Sequence, residues 1–119
     1  MEHRIQYLRE SYSHDHDGNV VAGKPVGCLA IKVSQRAGPR YLSYQHSVLN
    51  PRDQFNRELA RQLALGRLVE CPVFIRVTGT LTMKQITELV MLNIAQDKHA
   101  PGRARKAAKC WLKAAGTFD

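Results

Sequence analysis

Two runs of alternating side chains, Cys28 to Val33 and Tyr41 to Val48, constrain this chain more than any other feature. A period of two puts successive side chains on opposite faces of a strand. The residues between Ser34 and Arg40, with Ala37-Gly38-Pro39 among them, have the length and chemistry of a tight hairpin loop. The pair therefore reads as antiparallel strands. Leu29, Ile31 and Val33 are the expected buried set, with Cys28, Ala30 and Lys32 on the other face. Residues 4 to 13 are also strand-forming, and turn chemistry at Asp17-Gly18-Asn19 and Gly23-Lys24-Pro25 separates them from the hairpin. At least a three-stranded meander is expected.

Helix signals occupy the second half. Asn50 stands before Pro51, with Asp53 two residues on. A side-chain acceptor, a residue preset for the first helical position and a negative charge at the amide end predict a helix beginning at Pro51. Phe55, Leu59 and Leu63 recur every four residues with Ala60 alongside, which predicts one apolar stripe over the sheet. Gly66 is the expected place for that helix to stop or loosen. Val73 to Val77 reads as a short buried strand closed by Thr78-Gly79. Thr82 and Gln85 have capping-box spacing, with Leu81 and Ile86 at the staple positions, so a second helix should run from about Met83 to Gln96. Its Met83, Ile86, Leu89, Val90, Met91, Leu92 and Ile94 leave little polar surface, which predicts wrapping on more than one side and makes homodimerisation through it an option. His99-Ala100-Pro101-Gly102 breaks the chain. Arg103 to Ala115, rich in Ala and Lys, is the expected third helix.

At 119 residues the chain suits one core that needs neither disulfides nor a structural metal. Cys28, Cys71 and Cys110 are an odd number at wide spacing without a C-x-x-C pair, which points to a reduced, cytoplasmic setting. The charged start, Met1-Glu2-His3-Arg4, argues against a cleaved secretory leader. The apolar-rich segment Ile86 to Ala95 falls far short of the roughly twenty residues a membrane helix needs, so no membrane association is expected.

Charge gives the strongest functional hint. Lys and Arg number 18 against 10 Asp and Glu, a formal +8, which favours nucleic acid or an acidic protein face as partner. Residues 98–119 hold six basic residues and one acidic, a net +5, leaving +3 for the remaining 97. On a helical wheel Arg105, Lys106, Lys109 and Lys113 line one side, while Ala104, Ala107, Ala108, Trp111 and Ala115 lie on another. Two readings fit this basic amphipathic helix. Its cations displace counterions from nucleic acid, or they merely solvate a helix docked by Trp111 and Leu112.

Arg52, Arg57, Arg61 and Arg67 form a second basic group, and Arg57 and Arg61 stand four apart, opposite Phe55, Leu59 and Leu63, where both should reach solvent. Their repulsion is offset by an anionic ligand, or by ion pairs of Asp53 with Arg57 and Glu58 with Arg61. Arginine without lysine suits bidentate recognition of phosphate or carboxylate. The candidate contacts for nucleic acid or an acidic partner are therefore Arg57, Arg61, Arg67, Arg103, Arg105, Lys106, Lys109 and Lys113.

Other chemistry is thin. His14, Asp15, His16 and Asp17 alternate metal-binding types, yet two histidines two apart need further ligands from the fold, and Gly18 is misplaced for a calcium loop. A polar hairpin tip turning at Asp17-Gly18 explains the same residues. Cys28 could meet His46 across the hairpin, although a strand cysteine at this position is more often a small buried hydrophobe. No glycine-rich phosphate loop and no helical His-Glu-x-x-His occurs. No catalytic residue, cofactor or metal is expected.

From Ser47 to Leu68 the chain resembles a segment found in small hypothetical proteins of phages, prophages and other mobile elements. In those proteins a strand leads into a Pro-x-Asp or Lys-x-Asp turn, then Phe, a basic residue and an Ala-x-Gly-Arg-Leu ending. Asp53, Phe55, Arg57, Arg61, Ala64, Gly66, Arg67 and Leu68 match here, over about a fifth of the chain. Ala60 stands where many of them carry Gly, which still permits close helix packing. The resemblance implies an accessory protein of a phage or mobile element, acting on host defence or on nucleic acid. It implies no mechanism.

The expected fold class is α+β: an antiparallel sheet of about four strands covered by two helices, plus a C-terminal basic helix. Residues 1–97 would form the core domain and 98–119 the basic helix. The expected function is non-enzymatic binding of nucleic acid or a nucleoprotein complex. The alternatives are a protein-directed inhibitor of host defence of the anti-CRISPR kind, and a structural homodimer or virion assembly accessory.

Overall fold

The computed structural model of the protein describes residues 3–33, 40–48, 54–77 and 81–115. In chain order the elements are β1 (His3–Arg9), β2 (Tyr12–His14), β3 (Val20–Ala22), β4 (Pro25–Val33), β5 (Arg40–Val48), α1 (Arg57–Glu70), β6 (Val73–Val77), α2 (Met83–Gln96) and α3 (Gly102–Ala114). The fold is α+β. A four-stranded antiparallel sheet has the order β1-β4-β5-β6, and β2 pairs with β3 in a separate ribbon. The hairpin loop at Ala37-Gly38-Pro39 and the Thr78-Gly79 stop lie outside the described residues. The chain divides into two compact units, one of Met1–Tyr7 and Gly27–Thr80, the other of Leu8–Val26 and Leu81–Asp119.

In the first unit β4 is buried on both faces: Cys28, Leu29, Ala30 and Ile31 are all at 0% exposure. Alternation correctly separates Leu29 and Ile31 from Cys28 and Ala30, but the second pair is buried as well, because α1 packs on it. Cys28 and Ala30 form one cluster with Ala60, Ala64 and Leu68, joined at its edge by Ile5, Tyr7, Phe55 and Leu65. Gly27 stands opposite Val48 in the register, where a side-chain carbon would collide with the Ser47 carbonyl oxygen. Only glycine fits that approach.

Helix α1 departs from expectation at both ends. Asn50, Pro51, Arg52 and Asp53 lie outside the described residues, but Gln54 to Asn56 are not helical, and Asn56 is the cap, its side chain accepting from the Leu59 amide at 3.1 Å. Gly66 does not end the helix, which continues to Glu70. The stripe is also displaced: Ala60, Ala64 and Leu68 are buried, whereas Leu59 and Leu63 are 51% and 47% exposed. Both sets recur every four residues, so periodicity alone does not choose between them. Two bonds to β5 hold the observed orientation. The Ser47 hydroxyl donates to the Ala60 carbonyl at 2.8 Å, and Arg67 Nη1 donates to the His46 carbonyl at 2.9 Å.

Strand β6 spans Val73–Val77 as expected, but it alternates: Phe74 and Arg76 are exposed while Val77 is buried. It is half-buried, not the fully buried strand that its apolar run suggests.

In the second unit α2 has the expected bounds and both capping-box bonds: Thr82 Oγ1 accepts from the Gln85 amide and Gln85 Oε1 from the Thr82 amide. Its main packing partner is α3. Ile86, Val90, Met91 and Ile94 are buried on α2, and Ala104, Ala107, Ala108 and Leu112 on α3. The β2–β3 ribbon ends in the polar tip read from the sequence. Asp15 Oδ1 accepts from the amides of Asp17 and Asn19, and Gly18 takes φ +82°, which glycine adopts without strain. Among the described residues, no helix is long and apolar enough to cross a membrane.

Candidate nucleic-acid interface

Two basic surfaces can be built from the candidate residues, one in each unit. In the first unit Arg57 and Arg61 are both exposed, as expected, but Leu59 and Leu63 are half-exposed as well instead of buried against the sheet. The Arg57 guanidinium stacks over the Tyr7 ring, 5.1 Å from its centroid, and Tyr7 meets Phe55 edge-on with centroids 6.1 Å apart. Stacking uses the face of the guanidinium and leaves its N–H edge for an acceptor. Tyr7, Arg57, Glu58, Arg61, Gln62 and Leu65 line an open groove of about 450 Å³. The expected Glu58–Arg61 ion pair does not form among the described residues. Arg67 is committed to the His46 carbonyl, where it fastens the end of α1 to β5, so it is a structural residue first.

In the second unit the wheel position of each α3 cation decides its role. Lys106, Lys109 and Lys113 follow one another at spacings of three and four, and all three are exposed. The alanines and Leu112 occupy the opposite, buried side. Arg103 and Arg105 flank the stripe and are half-buried. Arg103 Nε donates to Glu10 Oε1 at 2.8 Å, Lys106 Nζ lies 3.9 Å from Glu10 Oε2, and Cys110 Sγ donates to the Glu10 carbonyl at 3.1 Å. Glu10 therefore ties α3 down and takes Arg103 largely out of contention as an external contact. The Arg105 Nε is buried without a hydrogen-bond partner among the described residues. A buried donor left unmet is costly.

The structure also settles the Cys28 and His46 question. Cys28 pairs with Ser47 and Leu29 with His46, so the two side chains sit on opposite faces of the sheet. Burial pushes the Cys28 thiol up to about 11, only partly countered by the Arg61 guanidinium. At neutral pH it stays protonated and is a poor nucleophile. In the ribbon, Asp15 is spent on turn amides, and the described residues contain no group of three or more metal-ligand side chains.

Tyr41, Phe74 and Arg76 were not anticipated as surface groups. The available signal was the period of two across β6, which puts Phe74 and Arg76 together and apart from Val73, Ile75 and Val77. The chain matches no family model, and no curated protein or solved structure is significantly similar to it.

Proposed function

We propose that the protein binds nucleic acid without catalysing a reaction on it, as an accessory protein of a phage or mobile element. Lys106, Lys109 and Lys113 would contact backbone phosphates, with Arg57, Arg61 and Arg105 as further contacts. The observation that carries this reading is the uninterrupted lysine stripe on the outer face of α3. Its inner face is packed, so the helix presents charge on a firm support. Such contacts position a protein on the polymer without reading sequence. The net +8 favours the same partner at long range.

The test is fluorescence anisotropy with labelled duplex DNA over a salt series. Each neutralised phosphate contributes about 0.9 to the slope of log affinity on log salt for a duplex. Replacing Lys106, Lys109 and Lys113 together by Gln is expected to weaken binding and to flatten that slope by about two to three. Unchanged affinity and slope in the triple variant would refute the role given to α3.

A further inference from the structure

On the face of the sheet that carries α1, the helix stops short. Register fixes which side chains share that face: Cys28 with Ser47, Ala30 with Gln45, Lys32 with Ser43, Ser43 with Phe74, and Tyr41 with Arg76. The helix covers the first two of these rows, through Cys28, Ala30 and the Ser47–Ala60 bond. The residue that caps its C-terminus, Cys71, accepts from Gln45 Nε2 through its carbonyl, at 2.7 Å. Beyond those two rows the face is open: Phe74 is 66% exposed and Tyr41 46%, and Arg76 is exposed with them. No acidic residue belongs to these rows.

Large aromatic side chains exposed on a sheet face, with cations and no carboxylate in their rows, match one ligand chemistry better than any other. Unpaired bases stack on aromatic faces, and their phosphates need neighbouring positive charge. Tyr41 and Phe74 are diagonal neighbours on adjacent antiparallel strands, with Cα atoms roughly 7–8 Å apart. Successive bases of an extended strand could each take one ring. Arg76 lies beside Tyr41, and Lys32 is in the row of Phe74, so each ring has a cation in its own row.

We infer that the open sheet face formed by Tyr41, Ser43, Phe74, Arg76 and Lys32 is a stacking platform for single-stranded nucleic acid. This rests on the nucleic-acid reading above and narrows its substrate class to strands with unpaired bases. The rings give affinity that depends little on salt, unlike the lysines of α3.

The experiment compares binding of a labelled oligothymidylate of about sixteen nucleotides with a labelled duplex, for the full chain and for Tyr41→Ala, Phe74→Ala and Phe74→Trp. Each alanine variant is expected to bind the single strand about tenfold more weakly, with its salt slope unchanged. Phe74→Trp is expected to keep the affinity and to show tryptophan quenching on binding. Circular dichroism checks that each variant is folded. Wild-type affinity for the single strand in both alanine variants would overturn the platform. If the salt-dependent duplex binding through α3 persists in that case, the broader reading survives. If the wild type binds neither probe, both fall.

Discussion

Helix α1 buries Ala60, Ala64 and Leu68, and helix α3 buries Ala104, Ala107, Ala108 and Leu112. Both are seated on small side chains that let a helix backbone come close to its support, with one leucine filling the end of the seat. They differ in what they turn outward. The outer face of α3 is Lys106, Lys109 and Lys113, whereas that of α1 includes Leu59, Leu63 and the 84% exposed Val69. An alanine seat is visible in a sequence only when the opposite face is polar. Where leucines stand outside, the larger residues claim the stripe and the face is read backwards.

The most severe way to break this comparison is to truncate leucines on both sides of it. Leu68→Ala and Leu112→Ala each empty a buried site and are expected to cost about 2–5 kcal/mol in urea denaturation. Leu59→Ala and Leu63→Ala remove half-exposed side chains and should cost less than about 1 kcal/mol. A loss at Leu59 as large as that at Leu68 would mean that α1 is turned the wrong way round.

A pH series sharpens the comparison, because burial raises the pKa of a proton-bearing side chain in each unit. Under α1 it is Cys28, pushed from an ordinary 9.0 to about 11, with Arg61 acting against the rise. In the second unit it is Tyr12, raised from 10.0 by burial, against the lowering effect of Arg9 and with a smaller push from Cys110. Between pH 9 and 11 the unfolded chain holds fewer protons at Cys28 than the folded one, so stability falls as pH rises. The full difference is worth about 3 kcal/mol. Cys28→Ala should remove most of that fall while the part due to Tyr12 remains. An identical fall in the variant would show that α1 does not press on Cys28 as described.

These contrasts also explain what could be read before the fold was known. The β4–β5 hairpin, the bounds of β6, α2 and α3 were legible because each carries a local signal that tertiary packing reinforces: alternation, the Thr82–Gln85 box, an Ala and Lys helix after Pro101. The start of α1 was not, because two asparagines compete for the cap. Asn50 is followed by Pro51 and Asp53, whereas Asn56 is followed by Glu58 but no proline. Of the candidate site, the lysine stripe was legible from its wheel. The engagement of Arg67 with a strand carbonyl and of Arg103 with Glu10 was not, since the partners are 21 and 93 residues away. Nor was the open end of the sheet, which depends on where α1 stops.

Gly66 gives the smallest effect and the cleanest one. It lies inside α1, the helix runs four residues past it, and a side-chain carbon built there would meet nothing within 4 Å. Glycine in a helix interior is worse than alanine by about 0.5–1 kcal/mol, because the unfolded chain gains freedom that the helix removes. Gly66→Ala is therefore expected to raise stability by about that amount and to leave nucleic-acid binding unchanged. A destabilised variant would imply that Gly66 sits at a helix stop, as its sequence context suggests, and would undo the continuous α1 on which the comparison with α3 rests.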